Sequence, residues 1–471
     1  MTIKLKTTDN QTVELNPKAI QSLSGKISGN IIAPGDSAYD HERQLWNGMI
    51  DRKPGLIVQC TGKEDIITAV RFANAHHALI SVRGAGHNIA GRAIQDDVLM
   101  IDLSKLRGVK VDPGTKAAIV SPGATLGDID KATMPYGLAL PVGVNSTTGI
   151  AGLTLGGGFG WLSPKHGMTI DNLLSVEAIN VKGELLHCDA KTNEELFWAI
   201  RGGGGNFAIV GEFTFQLVPM PQKVLCGPVV FDIEEAEQVL ANYRDFILKT
   251  PRHFSIWAAM RYGHPFPFLT KEQQGRPVFI LVGCHFGSEE EGEELFSQLK
   301  ALGSPIGSHI EKAPFVDFQQ AFDPTVPPGG RNYWKTHNFK KLDDNLIKTI
   351  VGLAKNLPSE ESELFIARMG GAINEVPPDA TAYPHRDAEF VMNIHTRWQD
   401  KESDQTCIEW ARKVYAETKP FSSGGVYSNF VSDGDDNTDE AYGQNAERLK
   451  TIKSKFDPDN VLRNNLNIIP D

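Results

Sequence analysis

Three dense glycine clusters stand out among the residues whose type and spacing could do chemistry: Arg83-Gly-Ala-Gly-His-Asn88, Gly149-Ile-Ala-Gly-Leu-Thr-Leu-Gly-Gly-Gly-Phe-Gly-Trp161 and Arg201-Gly-Gly-Gly-Gly-Asn-Phe207. Glycine has no Cβ, so it enters conformations closed to other residues and lets backbone amides approach an anion such as phosphate. Scattered glycines would read as turns. Clusters this dense predict ligand binding instead, because each glycine carries an entropic cost that a plain connector does not require. The segment Gly203-Gly-Gly205-Asn-Phe-Ala208 formally satisfies the GxGxxA dinucleotide pattern, yet it follows a helical segment and precedes a strand, the reverse of the Rossmann order. No GxxxxGK[ST] loop, GxSxG elbow or HExxH pair occurs. The five cysteines (Cys60, Cys188, Cys226, Cys284, Cys407) never form CxxC, which argues against a zinc site, a disulfide scaffold and an iron–sulfur centre.

The elements that must position these loops read as α+β. Ile66, Ile67, Val70, Phe72 and Ala73 fall at helical spacing and predict a helix over 65–76, followed by a strand over 77–83 that delivers the first loop. Strands are expected over 98–103 and 117–121, with a helix over 125–136. From about residue 224 the texture changes to longer alternations. Strands over 224–232, 254–261 and 276–285 are interleaved with two helices. One is capped by Asp232 and carries Val239, Leu240, Tyr243, Phe246 and Ile247 on one face; the other is capped by Ser288 and carries Leu295, Phe296 and Leu299. This order predicts an antiparallel sheet covered on one side by helices. The Pro/Gly-rich stretch 324–330 reads as a loop within this second domain.

With 471 residues the chain exceeds one simple core, so two or more domains are expected. Its 41% hydrophobic and 22% charged content is that of a globular protein. Forty-seven basic against fifty-eight acidic residues give a net charge of −11, the wrong sign for nucleic-acid binding as a main task. The first residues lack an apolar core and no run of 18 apolar residues occurs, so a cytoplasmic protein with no membrane association is expected. No feature of the sequence sets an oligomeric state.

Taken in order, the first loop, the stretch 141–167, the run 193–210 and a C-terminal signature resemble the berberine bridge enzyme-like oxidases of the vanillyl-alcohol oxidase/p-cresol methylhydroxylase superfamily. The signature comprises Tyr427-Ser-Asn429, Tyr442-Gly, the segment 448–460 and Asn467-Ile. The resemblance covers nearly the whole chain. It implies a two-domain flavin oxidase fold: an FAD-binding domain of PCMH type at 1–220 (core about 54–220), an antiparallel-sheet substrate domain at 221–425, and a segment at 426–471 that returns to the FAD domain. It further implies that backbone amides of Arg83, Gly84, Ala85, Gly86 and His87, with Asn88 beside them, hold the FAD pyrophosphate. His87 would carry the flavin covalently through its 8α-methyl group. Many relatives add a cysteinyl bond at the position of Asn145, so a single link is expected here. Gly143, Ser146, Thr147, Gly149, Gly152, Gly157, Gly160 and His166 match the stretch along the flavin ring and ribityl chain. Ile209 and Val210 match residues near the adenine or pyrophosphate, and Tyr427, Asn429 and Asn467 are further matched cofactor contacts. Phe159 and Trp161 read equally well as core.

A flavin takes a hydride at N5, so the protein must also remove a proton from the attached O–H or N–H. The resemblance puts Tyr427 in the position of a residue that serves as, or assists, that base; an ordinary phenol, with a pKa near 10, needs a neighbouring cation or donor to do so. Asn393 falls where relatives place Gln or Glu, and its amide can orient a hydroxyl without taking its proton. Tyr333 and Lys335, in Arg331-Asn-Tyr-Trp-Lys335, match a strand lining the pocket. Trp257, Tyr262, Phe266, Tyr333 and Trp334 would suit stacking on a sugar or an aromatic ring. With no haem or cluster motif to relay electrons, dioxygen is the expected acceptor, giving hydrogen peroxide. The expected activity is therefore FAD-dependent oxidation of an alcohol, sugar or secondary metabolite. A flavin dehydrogenase, an amine or alkaloid oxidase, and a non-catalytic flavin-binding protein remain as alternatives.

Overall fold

In the computed structural model, which describes residues 3–432, 434 and 438–471, the strand Ile80–Arg83 is the edge of a four-stranded sheet. Its order is Asn30–Ile32, Leu56–Gln59, Leu99–Asp102, Ile80–Arg83. The last three strands are parallel, and the helix Lys63–Ala75 makes the crossover between Leu56–Gln59 and Ile80–Arg83. Leu56-Ile-Val and Leu99-Met-Ile are buried throughout, as parallel strands covered on both faces require. Loops leaving the carboxyl ends of such strands are where ligands are held. Arg83 closes its strand by a forked pair with Asp102, Nε to Oδ1 at 2.9 Å and Nη2 to Oδ2 at 2.6 Å. The side chain is thus committed beneath the sheet edge while its backbone continues into Gly84.

A second, antiparallel sheet runs Leu185–Asp189, Leu173–Ile179, Ile209–Gln216, Ala117–Val120, Val109–Asp112. The helix expected over 125–136 is divided: Thr125 and Asp128 form a capping box that starts Leu126–Thr133, and the remainder tightens into the 3-10 turn Met134–Tyr136. At the far end of the chain, Leu449 and Ile452 of the helix Ala446–Phe456 share a core with Leu196, Phe197 and Ile200. Lys453 fastens this helix to the third glycine loop, donating to Asp457 Oδ2 at 2.6 Å and to the Asn206 carbonyl at 2.7 Å.

Most of the strands after residue 222 build one antiparallel sheet. Its order is Gly307–Ser308, Lys223–Asp232, Pro277–His285, Phe254–Tyr262, Glu363–Arg368, Phe390–Trp398, Arg331–Phe339. Alternation divides it into two faces. Ile256, Ala258, Met260, Leu364, Ile366, Met392 and Ile394 pack beneath the helices Ala236–Ile247, Asp344–Ala354 and Asp404–Thr418. Each fully buried aliphatic side chain contributes roughly 1.5–3 kcal/mol, and a one-residue slip would turn this whole set outward. Ser288 caps Glu289–Lys300 as expected, accepting from the Glu291 amide. Asp232 caps a 3-10 turn, Ile233–Glu235, that precedes the helix.

The other face looks towards the glycine loops. Asn47 joins the two layers: its Nδ2 donates to the carbonyls of Ile89 (2.8 Å) and Asn332 (3.0 Å), and its Oδ1 accepts from the Asn332 amide (3.0 Å). The loop at 324–330 crosses the same seam, where the Gly329 amide donates to the Trp46 carbonyl and the Gly48 amide to that of Gly330. Among the described residues no helix is long and apolar enough to cross a membrane.

Candidate active site

Between the glycine loops and the free face of the large sheet lies a cavity of about 600 Å³. On the loop side it is lined by Gly84, Ala85, Gly86, His87 and Asn88, by Gly143, Asn145, Gly149 and Gly152, and by Ile209, Val210, Tyr427 and Asn429. Phe159 and Trp161 line it as well, and so do Gly204 and Gly205 of the third loop. Two glycines show why no other residue serves. Gly86 sits at φ +73°, and a Cβ on Gly149 would stand 2.9 Å from the Ala85 backbone nitrogen, so the first two loops touch only because both lack bulk.

His87 is held from two sides. Its ring stacks on Trp46 with centroids 4.9 Å apart, and its Nε2 lies 2.7 Å from Thr147 Oγ1. The Thr147 hydroxyl donates to Asn145 Oδ1 at 2.6 Å, an oxygen that also accepts from the Thr147 amide at 3.0 Å. With its proton committed to Asn145, Thr147 can only accept from His87, so Nε2 carries the hydrogen and Nδ1 keeps its lone pair. Burial draws the His87 pKa down to about 3, leaving the ring neutral.

Several sequence-predicted positions stand outside the cavity wall. The Arg83 side chain is turned to Asp102. Ser146 binds Asp323 through its amide at 3.0 Å and through its hydroxyl. A Cβ on Gly160 would overlap the Val142 carbonyl, and Gly157 is packed against Met168 and Tyr427, so both serve close packing. His166 packs against Phe286, and Asn467 lies beside the lining residues Asn464, Asn465 and Leu466 without lining the cavity itself. Tyr333 and Lys335 require a correction: they point to the helix side of the sheet. Tyr333 lies 3.4 Å from Arg412 Nε, and Lys335 Nζ sits 4.2 Å from the centre of the Tyr415 ring. The period of two decides this, because Trp334, between them, is the residue that lines the cavity. Of the other aromatic expectations, Trp257 and Phe266 line it and Tyr262 does not.

Residues 54–189 match the FAD binding domain family, and residues 426–469 match the berberine and berberine-like family. Over 447 residues the chain is 30% identical to an FAD-linked oxidoreductase of Dictyostelium discoideum, covering 94% of this chain and 95% of the relative. The chain is a berberine bridge enzyme-like FAD-linked oxidoreductase. Among solved structures, 6-hydroxy-D-nicotine oxidase from Arthrobacter nicotinovorans superimposes with a TM-score of 0.84 at 27% identity, covering 94% of this chain and 98% of that one. The fold is shared too with the glucooligosaccharide oxidase of Acremonium strictum, whose FAD is 6-S-cysteinyl and 8α-N1-histidyl (TM-score 0.86, 21% identity, 96% and 99% covered).

The cavity of this berberine bridge-like enzyme has mainly apolar walls into which a few buried polar groups are set on both sides. Ser81, Trp161 and Asn464 line it on the loop side, and their Oγ, Nε1 and Oδ1 atoms are buried with no hydrogen-bond partner among the described residues. On the sheet side the same holds for both amide atoms of Asn393, for Arg261 Nε, Trp334 Nε1 and His395 Nε2. Each such group is costly to bury unpaired, by about 1–3 kcal/mol. FAD fits the loop half: glycine amides for the pyrophosphate, scattered hydroxyl and amide groups beside them, and His87 within the same wall.

Sequence reasoning missed Trp46, Arg261, Glu363 and His395. The clue to His395 was available, since it lies two residues from Asn393 on one strand and so shares its face.

Tyr427 does line the cavity, but its surroundings oppose phenolate. Burial pushes its pKa up, and hydrogen bonds from Asn429 Nδ2 and the Gly158 amide, each 3.0 Å, bring it back only to about 12.

Proposed function

We propose that the enzyme holds FAD through one bond, from His87 Nδ1 to the flavin 8α carbon, and oxidises a hydroxyl-bearing small molecule, an alcohol or sugar, with dioxygen as electron acceptor. The observation that supports this most is the continuity of the cavity, which places the loop half with His87 and the polar sheet face with Asn393 in one space. Bound there, the flavin supplies a two-electron acceptor for the hydride of the C–H beside the reacting hydroxyl.

The remaining tasks belong to the chain. The relay Asn145–Thr147–His87 directs the lone pair of His87 to Nδ1, the atom that must form the bond. Asn145 occupies the place of the second link in cysteinyl relatives. Of the five cysteines only Cys226 lines the cavity, and burial pushes its thiol up to about 12, which suppresses the thiolate. Asn393, with both amide atoms unpaired, can donate to and accept from one hydroxyl. Tyr427, protonated up to about pH 12, acts as a hydrogen-bond donor to a substrate oxygen. Phe159, Trp257, Phe365 and Trp334 line the walls and exclude water.

Two measurements test the reading. Acid-denatured protein should stay yellow, and His87→Ala should lose that colour. A panel of alcohols, sugars, phenols and amines, mixed anaerobically with the holoenzyme, should bleach the flavin with hydroxylated compounds, and air should then restore the colour with peroxide release. Bleaching by amines alone would sink the hydroxyl reading; reduced enzyme that stays reduced in air would replace the oxidase by a dehydrogenase.

A further inference from the structure

We infer that His395, oriented by Glu363, is the base that takes the substrate proton, with Arg261 as the fixed counter-charge of Glu363. This rests on the alcohol-oxidising reading above and names the group that reading still requires. Arg261, Glu363, His395 and Trp334 are direct register partners on four adjacent strands and form one row across the cavity face. Glu363 bridges its neighbours: Oε2 lies 3.2 Å from Arg261 Nη1, and Oε1 lies 3.1 Å from His395 Nδ1. A carboxylate can only accept, so Nδ1 is the protonated nitrogen and Nε2 of the neutral ring bears the lone pair. That Nε2 is buried, has no hydrogen-bond partner among the described residues, and belongs to a residue lining the cavity that is 4% exposed. Trp334 meets the ring edge-on at 4.5 Å and fixes its plane.

A merely structural ion pair would not leave the outward nitrogen buried and unpaired, a state that costs about 1–3 kcal/mol. The Tyr427 phenol gives up its proton only at about 12, whereas His395 presents a bare ring nitrogen to the cavity. Burial tends to neutralise Glu363, but Arg261 and the His395 hydrogen bond outweigh it and hold its pKa at about 2. The carboxylate is therefore available to stabilise the imidazolium. Apart from this row, the titratable groups lining the cavity are His87, Arg92, Cys226, His309, Glu311, Asp317, Tyr427 and Tyr442, and none of them is in hydrogen-bond contact with His395 among the described residues. In the step itself, the hydroxyl O–H breaks and its proton goes to His395 Nε2. The adjacent C–H leaves with its electron pair to the flavin, which is reduced, while the carbon is oxidised to a carbonyl. The imidazolium later returns its proton to water.

The test uses holoenzyme and the alcohol that bleaches its flavin fastest in the panel above. His395→Gln should slow anaerobic flavin reduction at neutral pH by about 10²–10⁴-fold and remove the acidic limb of the rate–pH profile. Glu363→Gln, a positioning variant, should shift that limb to lower pH, because the imidazolium loses its counter-charge; a purely structural role would leave it in place. Flavin content and melting temperature serve as controls, with His395→Asn as the substitute if the first variant fails to fold. A rate within about threefold of wild type, or an unchanged limb, overturns the assignment. If no hydroxylated compound bleaches the flavin, the functional reading fails separately, and ¹⁵N-histidine spectra of the holoenzyme still decide the dyad. The signal lost in His395→Gln should show Nδ1 protonated and Nε2 bare, and the opposite tautomer overturns the proposal.

Discussion

Thr147 Oγ1 accepts the Nε2 hydrogen of His87 across 2.7 Å while donating its own hydrogen to Asn145. One hydroxyl thereby selects which imidazole nitrogen is nucleophilic. Thr147→Val keeps the shape and removes the acceptor, freeing His87 to adopt either tautomer. Incubating the apoprotein of this variant with FAD should form acid-stable yellow protein at least about tenfold more slowly than wild type, with non-covalent FAD binding retained. Equal rates would show that the tautomer is set elsewhere.

Tyr427 lies far above its ordinary titration range, burial being the first cause. Tyr427→Phe should therefore slow flavin reduction by no more than about tenfold, the scale of one lost hydrogen bond of roughly 1.4 kcal/mol. Below pH 10 the rate–pH profile should keep its shape. A loss of about a thousandfold would return the role of base to the phenol.

Asp130 is wholly buried in the helix Leu126–Thr133, with one oxygen 3.4 Å from Gln319 Nε2 and the other unpartnered. Burial raises its pKa from 3.8 to about 7. The folded state thus binds the proton more tightly, so this group's contribution is fully favourable below about pH 4 and lost as the pH rises towards 7. Asp130→Asn should leave the melting temperature unchanged near pH 4 and raise it near pH 8, by an amount corresponding to about 2–4 kcal/mol. Paired thermal melts at the two pH values measure it.

Arg386, 2% exposed, grips Asp171 through two bonds of 2.7 and 2.8 Å. Removing the carboxylate strands a buried guanidinium, so Asp171→Asn should cost about 3–5 kcal/mol in urea unfolding. Replacing Lys340 or Asp387, an exposed pair, should change stability by less than about 1 kcal/mol.

What the sequence made legible was local. The glycine loops announced themselves because positive φ and close backbone approach admit little else, and the cap at Ser288 was visible because a serine oxygen can accept a free amide of the first helical turn. Strand alternation was legible in kind but not in phase, so Tyr333 and Lys335 were expected on the face that Trp334 in fact takes. Trp46 was invisible because its meaning arises from His87 and from the Val326 carbonyl, 280 residues away. The row of Arg261, Glu363 and His395 exists only through the pairing of strands that lie far apart in the chain, and no local spacing encodes that register.

The two faces of the large sheet answer to different demands. Residues such as Ile366 and Met392 hold the helices, while their immediate neighbours Phe365 and Asn393 face the cavity. A lineage can therefore exchange the cavity-side positions one at a time, at fixed spacing, without unsettling the scaffold beneath. New substrates become accessible by small steps, and the same arithmetic makes alternate positions on these strands the efficient targets for directed diversification.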